Sequence, residues 1–172
     1  MAGMEAKFDP LGMLAVLERH RVTYMLVGGV ARVVQGAEEL PCGLDIVPRL
    51  RAETLRRLGG ALGELDARRV DGKRLSVDEE SLAREPVLEL MTNKGELKVV
   101  AQPEGTRGYD DLRRAARREY LGKGIRAEIA SSPDLARMLA ALGREQDADK
   151  LFELRRLIEL ERSRGRGIDL GL

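Results

Sequence analysis

Tyr24 to Pro48 reads YMLVGGVARVVQGAEELPCGLDIVP, and how this stretch is read decides the fold. The short apolar run from Tyr24 to Val27 predicts a strand. It ends on Gly28 and Gly29, which lack Cβ atoms and so admit positive φ and close approach by another group. Val30 to Gln35 has helical character, and Gly36 is a natural helix stop. Pro41 lacks the amide donor a central strand needs, so the second strand is expected to begin near Leu44. Leu44 to Val47 is apolar except for Asp45, and a carboxylate in such a run is costly to bury without a partner or a metal. Backbone N–H groups ahead of a helix favour anions, so Gly28 and Gly29 are candidate nucleotide-binding residues and Asp45 a candidate metal ligand.

The flanking segments supply helices and more strand. Pro10 to His20 reads as a helix with Leu11, Leu14, Ala15, Val16 and Leu17 on its apolar face. His20 is the only histidine, and its ordinary reading is a polar residue favoured by the helix dipole at a C-terminus. Ala52 to Arg68 is amphipathic, with Leu55, Leu58, Leu62 and Leu65 at helical spacing and Gly59 and Gly60 weakening it. Val70 to Pro86 is polar and aperiodic except for a short helix near Asp78 to Arg84. Val87 to Thr92 and Leu97 to Ala101 flank Asn93-Lys94-Gly95 as a hairpin. Period-two alternation places Glu96, Lys98 and Val100 on one face.

Tyr109 to Tyr120 is expected to be helical, with Arg113, Arg114, Arg117 and Arg118 as a face that could meet phosphates, although solvation is the commoner use of such charges. Ile125 to Ala130 predicts a strand. A helix then starts with Ser132 as N-cap and Pro133 at its first position. Asp147 to Glu161 is a last amphipathic helix whose Leu151, Leu154, Leu157, Ile158 and Leu160 either complete the core or form a homodimer seam. The Arg/Gly-rich tail from Arg162 is expected to fray.

Composition bounds the function. A chain of 172 residues with 43% hydrophobic and 34% charged residues can bury a core, and its net charge of +1 gives no global field toward nucleic acid. Three Tyr, two Phe and no Trp leave few platforms for stacking bases. Cys42 is the only cysteine, so no intramolecular disulfide is available. No apolar run approaches the roughly 18–20 residues of a membrane helix, and MAGMEAKFDP does not read as a signal peptide, so the expected location is cytoplasmic.

The Tyr24 to Pro48 stretch resembles the core of the nucleotidyltransferase superfamily, the DNA polymerase β-like fold, in its small prokaryotic stand-alone form. The resemblance rests on the apolar strand, Gly28-Gly29, the short helix and the strand carrying Asp45. It extends to Gly105 to Ala116 (GTRGYDDLRRAA) and to Ser131 to Leu157, and covers most of residues 20 to 160. It implies an α+β fold: a mixed β-sheet flanked by helices, with residues 1–130 as the core and 131–172 as a C-terminal helical element packed on it. It also implies Mg²⁺ and a nucleoside triphosphate, with three carboxylates holding two cations.

This chain departs from that pattern at the metals. The first Asp of the family's Asp-x-Asp falls on Gly43, the second on Asp45, and the third on Lys98. The serine after the helix falls on Ala37, and a lysine of the C-terminal helix on Leu139. Two-metal phosphoryl transfer needs both ions clamped about 3.5–4 Å apart, and one Asp beside a lysine does not readily supply the oxygens. Lys98 is expected to pair with Asp45, an ammonium standing in for a cation. Glu96 and Glu39 are the candidate substitute carboxylates.

Three functional readings follow. The first is a catalytically impaired pseudoenzyme acting as a nucleotide- or partner-binding subunit. The second is an active Mg²⁺-dependent transferase moving a nucleoside monophosphate onto a hydroxyl. The third is a toxin–antitoxin component.

Overall fold

The computed structural model describes residues 7–169. It is an α+β structure in which a seven-stranded mixed sheet is flanked by helices and closed by a long C-terminal helix.

Helix α1 (Pro10–Arg19) starts where Asp9 accepts a hydrogen bond from the Gly12 amide at 2.9 Å, with Pro10 in the first turn, where its missing N–H costs nothing. It buries Met13, Leu14, Val16 and Leu17. Strand β1 (Tyr24–Val27) runs straight into α2 (Gly28–Val34), so both glycines form the first helical turn instead of preceding it. Gly36, at φ +111°, ends the segment as expected. Strand β2 (Gly43–Pro48) then returns antiparallel to β1.

Helix α3 (Ala52–Glu64) buries Leu55, Leu58, Ala61 and Leu62. It stops before the expected Arg68, because Asp66 takes φ +50° and Arg68–Arg69 leaves as a two-residue strand, β3, paired with β4. His20 fills the space beside Gly60 and contacts Glu64 at 3.0 Å, and Arg19 pairs with the same carboxylate. These bonds hold Glu64 below the usual carboxylate range, the His20 contact contributing most. His20 therefore ties α1 to α3.

Helix α4 (Glu79–Arg84) is capped by Asp78, which accepts from the Ser81 amide at 2.7 Å. The hairpin of β4 (Val87–Thr92) and β5 (Gly95–Val100) forms where the sequence places it. Asn93-Lys94 turns the chain, Gly95 takes φ +110°, and the Thr92 hydroxyl donates to the Gly95 carbonyl at 2.7 Å.

The expectation of one basic helix over Tyr109 to Tyr120 is corrected. Helix α5 is Tyr109–Arg113 only, and Arg117–Gly122 is strand β6, antiparallel to β7 (Ile125–Ile129). Gly122, Lys123 and Gly124 all have positive φ and make a tight hairpin turn. The pairing available along β7 outweighs the helix propensity of the Arg/Ala run. Arg113 ends the helix, Arg114 follows it as the cap, and Arg117 and Arg118 lie on the strand, so the four do not share one helical face.

Helix α6 (Ser132–Leu142) is capped by Ser131, whose hydroxyl accepts from the Asp134 amide at 3.2 Å, one residue earlier than the Ser132 cap expected. Pro133 then occupies the second helical position, whose N–H is also unpaired in a helix. A single 3₁₀ turn (Glu145–Asp147) leads into α7 (Ala148–Asp169). Its helix runs past Arg162, so the expected fraying is not seen as far as Asp169, and residues 170–172 lie outside the described residues. Leu154 is buried in the main core and Leu151 and Ile158 pack against it, while Phe152 and Leu160 stay exposed. No helix among the described residues is long and apolar enough to cross a membrane.

The strand order is β3-β4-β5-β2-β1-β7-β6, with β2–β5 and β1–β7 parallel. Leu44, Ile46, Leu97, Val99, Leu88 and Leu90 share rungs and are buried on one face. On the other face α2 packs against β1 and β2, α6 against α2, and α7 against α6.

Candidate functional site

The residue that alternates with Leu44 and Ile46 is Asp45, so it points to the face that α2 covers. Pairing registers place Val27, Asp45, Lys98 and Glu89 side by side on one rung across β1, β2, β5 and β4. The neighbouring rung holds Gly43, Glu96 and Met91. The two motif strands thus bring Gly43, Asp45, Glu96 and Lys98 together, with Lys98 flanked by a carboxylate on each side.

Asp45 is pressed against the start of α2. A Cβ on Gly28 would stand 2.7 Å from the Asp45 Cγ and closer still to its Oδ2, and Gly28 has φ +71°. This explains why residue 28 is glycine: its open side is filled by the Asp45 carboxylate. A Cβ on Gly29 would meet Pro41 at 3.1 Å. The Cβ side of both glycines is therefore occupied by the chain itself.

The direct Asp45–Lys98 ion pair expected from the sequence does not form; the two are rung neighbours without a hydrogen bond or salt bridge between them. Burial pushes the Asp45 carboxyl above its ordinary range. Lys98 and then Arg32 oppose that shift, while Glu89 and Glu96 add to it. Desolvation wins because the ammonium acts across a distance instead of through a contact.

The substitute carboxylates sit differently. Glu96 packs over Gly43: a Cβ there would lie 3.0 Å from the Glu96 Cβ and 3.4 Å from its Oε2. The space a side chain at residue 43 would enter is taken. Glu39 is committed elsewhere, accepting from Arg32 Nε at 2.7 Å and from its second nitrogen, Nη2, at 3.0 Å. Both side chains are nearly buried, at 10% and 13% exposure, so this is a desolvated bidentate pair that holds both Glu39 oxygens on Arg32. Ala37 and Leu139, at the positions of the family's serine and lysine, are both buried core residues.

Sequence reasoning missed Arg32 and Glu89. Arg32 carried no signal, because a lone arginine in an apolar helix reads as solvent-facing. Glu89 becomes relevant only through the β4–β5 register.

The fit of a metal is testable on the donor set. Gly43 offers no side-chain oxygen, Glu39 is bidentate with Arg32, and Lys98 presents a positive charge between Asp45 and Glu89. Among the described residues no three His, Cys, Asp or Glu side chains are grouped to hold a metal ion. The residues present do not fit a pair of Mg²⁺ ions.

Asp45→Asn tests the cost of this carboxylate. An acid whose folded pKa exceeds its unfolded one binds more protons when folded. Stability then falls as pH rises from the ordinary value toward the raised one. The variant should raise Tm at pH 7.5, and the gain should vanish below about pH 4, where the unfolded-state carboxyl is itself protonated. A lower Tm at pH 7.5 would show that the Asp45 charge stabilises the fold.

No protein-family model matches the chain, and no curated protein matches it in sequence.

Proposed function

We infer that this chain is a nucleotidyltransferase-fold protein that does not transfer nucleotides and works as a binding subunit. One observation carries the reading: Lys98 stands on the rung beside Asp45, where the resembled family has its third carboxylate. A fixed ammonium there repels divalent cations and supplies no ligand oxygen. The parallel β2–β5 pairing, Gly28 at the start of α2 and Gly43 under Glu96 agree with an active-site cleft whose cation-holding residues have been replaced. The cleft is also crowded with carboxylates. Asp45, Glu89 and Glu96 stand around Lys98, and the other nearby cation, Arg32, is already paired with Glu39. That balance disfavours a triphosphate, so the binding role falls to a protein partner or a second copy of the chain. Leu142 on α6 and Phe152 and Leu160 on α7 are exposed apolar residues of the C-terminal helices that could meet either.

Glu96 comes nearest to favouring an active enzyme, since its carboxylate hangs over Gly43 next to Asp45. Two carboxylates beside a lysine still fall short of a two-cation set.

Calorimetric titration with ATP, GTP, CTP and UTP, with and without Mg²⁺, tests the proposal. The expected result is no Mg²⁺-dependent binding at millimolar nucleotide. Mg²⁺-dependent binding below about 100 µM, a free energy near −5.5 kcal/mol, that disappears in Asp45→Ala would overturn it.

A further inference from the structure

A second cleft lies away from Asp45. It is about 410 Å³, lined by Arg69, Arg74, Ser76, Ser81, Arg84 and Leu88, with Asp78 and Glu85 at its walls. Leu88 alternates with Glu89 along β4, so the cleft opens on the opposite face of the sheet from the Asp45 rung.

Its charges are unevenly spent. Glu85 accepts from Arg69 on both oxygens, at 3.2 and 2.6 Å, and Arg69 is also held by Asp71 at 3.0 and 2.6 Å. Asp78 accepts from the Ser81 amide at 2.7 Å and from the Ser76 hydroxyl at 3.1 Å. Both carboxylates are thus satisfied within the wall. The remaining cations are not. Arg74 has no ion-pair partner among the described residues. Arg84 has Glu80 at 3.1 Å, but that pair is exposed at 67% and 82%, and such pairs hold a side chain weakly. Two guanidinium groups with free N–H donors therefore face a cleft whose acidic groups are already occupied, with Leu88 as an apolar floor. Planar guanidinium forks match oxyanions in two-point geometry, and the size is that of a small-molecule site.

We propose that this cleft binds a small organic oxyanion, with its phosphate or carboxylate group on Arg74 and Arg84 and the Ser76 and Ser81 side of the cleft beside it. The site is independent of the Asp45 cleft.

Titration with inorganic phosphate, and separately with succinate, followed by amide shifts of the ¹⁵N-labelled protein, tests it. Saturable shifts at Ser76, Ser81 and Leu88 are expected, weakened at least tenfold by Arg74→Glu or Arg84→Glu and unchanged by Arg156→Glu on α7. Response to phosphate alone would mark a phosphoryl ligand, and response to both anions a general oxyanion site. No saturable shift at tens of millimolar would overturn the proposal. So would shifts centred on Gly28, Gly29 and Asp45, an outcome that would also count against the non-catalytic reading of the other face. Equal weakening by Arg156→Glu would likewise reduce the effect to surface charge.

Discussion

Arg32→Ala should cost about 3–5 kcal/mol, the range for removing one partner of a buried ion pair. At roughly 2–4 °C per kcal/mol for a chain of this size, Tm should fall by about 10 °C. The cost comes less from lost attraction than from what is left behind: Glu39 would keep its place in a nearly dry pocket with two charge-assisted hydrogen bonds unmade. Asp45 would also lose one of the two cations that oppose its desolvation. Arg32 lies on α2 and Glu39 in the loop before β2, so the pair fixes how that loop returns to the sheet beside Pro41 and Gly29. The double variant Arg32→Met/Glu39→Leu removes both charges and keeps most of the volume, and should recover to within about 1–2 kcal/mol of the parent. Thermal and urea unfolding of the singles and the double would measure this. A loss under about 1 kcal/mol for each single variant would show that the pair behaves as a surface salt bridge.

Gly28→Ala should destabilise by about 2–3 kcal/mol. Two causes act at once. An L-residue at φ +71° pays about 1–2 kcal/mol for the left-handed region. The new methyl also enters the space of the Asp45 side chain, 2.7 Å from Cγ and 2.9 Å from Cβ. The carboxylate can swing away only by giving up its seat against α2, and its Cβ cannot move without the β2 backbone. In Gly28→Ala/Asp45→Ala the carboxylate clash disappears, but the positive φ and the Cβ contact remain. The double should therefore regain only part of the loss, a coupling of about 1 kcal/mol, read as the non-additivity of the cycle. Additive losses would mean that Gly28 is required for its φ alone. Gly29→Ala is the useful comparison. Its φ is not positive and its nearest obstacle is Pro41 at 3.1 Å, so it should be the milder change.

Both changes probe the same few ångströms, where α2 meets β2, and both act by exposing what the chain has packed into a cleft. The Gly28 space is filled by Asp45, the Gly43 space by Glu96, and Glu39 is occupied by Arg32. Each replacement is modest alone. Together with Lys98 on the Asp45 rung they leave a cleft filled by the chain's own side chains.

The local chemistry of the chain was enough to determine most of its elements. Asp9-Pro10, Gly36, the Asp78 cap and the Asn93-Lys94-Gly95 turn act on the few residues beside them, so α1, the end of α2, α4 and the β4–β5 hairpin lie where the sequence places them. Period-two alternation was likewise sufficient to put Glu96 and Lys98 on one face of β5, since it depends only on the pleat.

What needed the tertiary structure was everything set by a neighbour. The stretch from Arg117 to Gly122 continues a helix-forming run and became a strand because β7 offered it a ladder. α3 stopped early because β4 did the same for Arg68 and Arg69. The Asp45–Lys98 relation shows the limit most clearly. Alternation sets the face each occupies on its own strand, but the β2–β5 pairing comes from the sheet order, and contact or mere proximity from side-chain path and desolvation, which no one-dimensional pattern encodes. Arg32 and Glu39 became a pair only when the α2–β2 loop folded back, because a buried charge is tolerated only where a distant part of the chain supplies its partner.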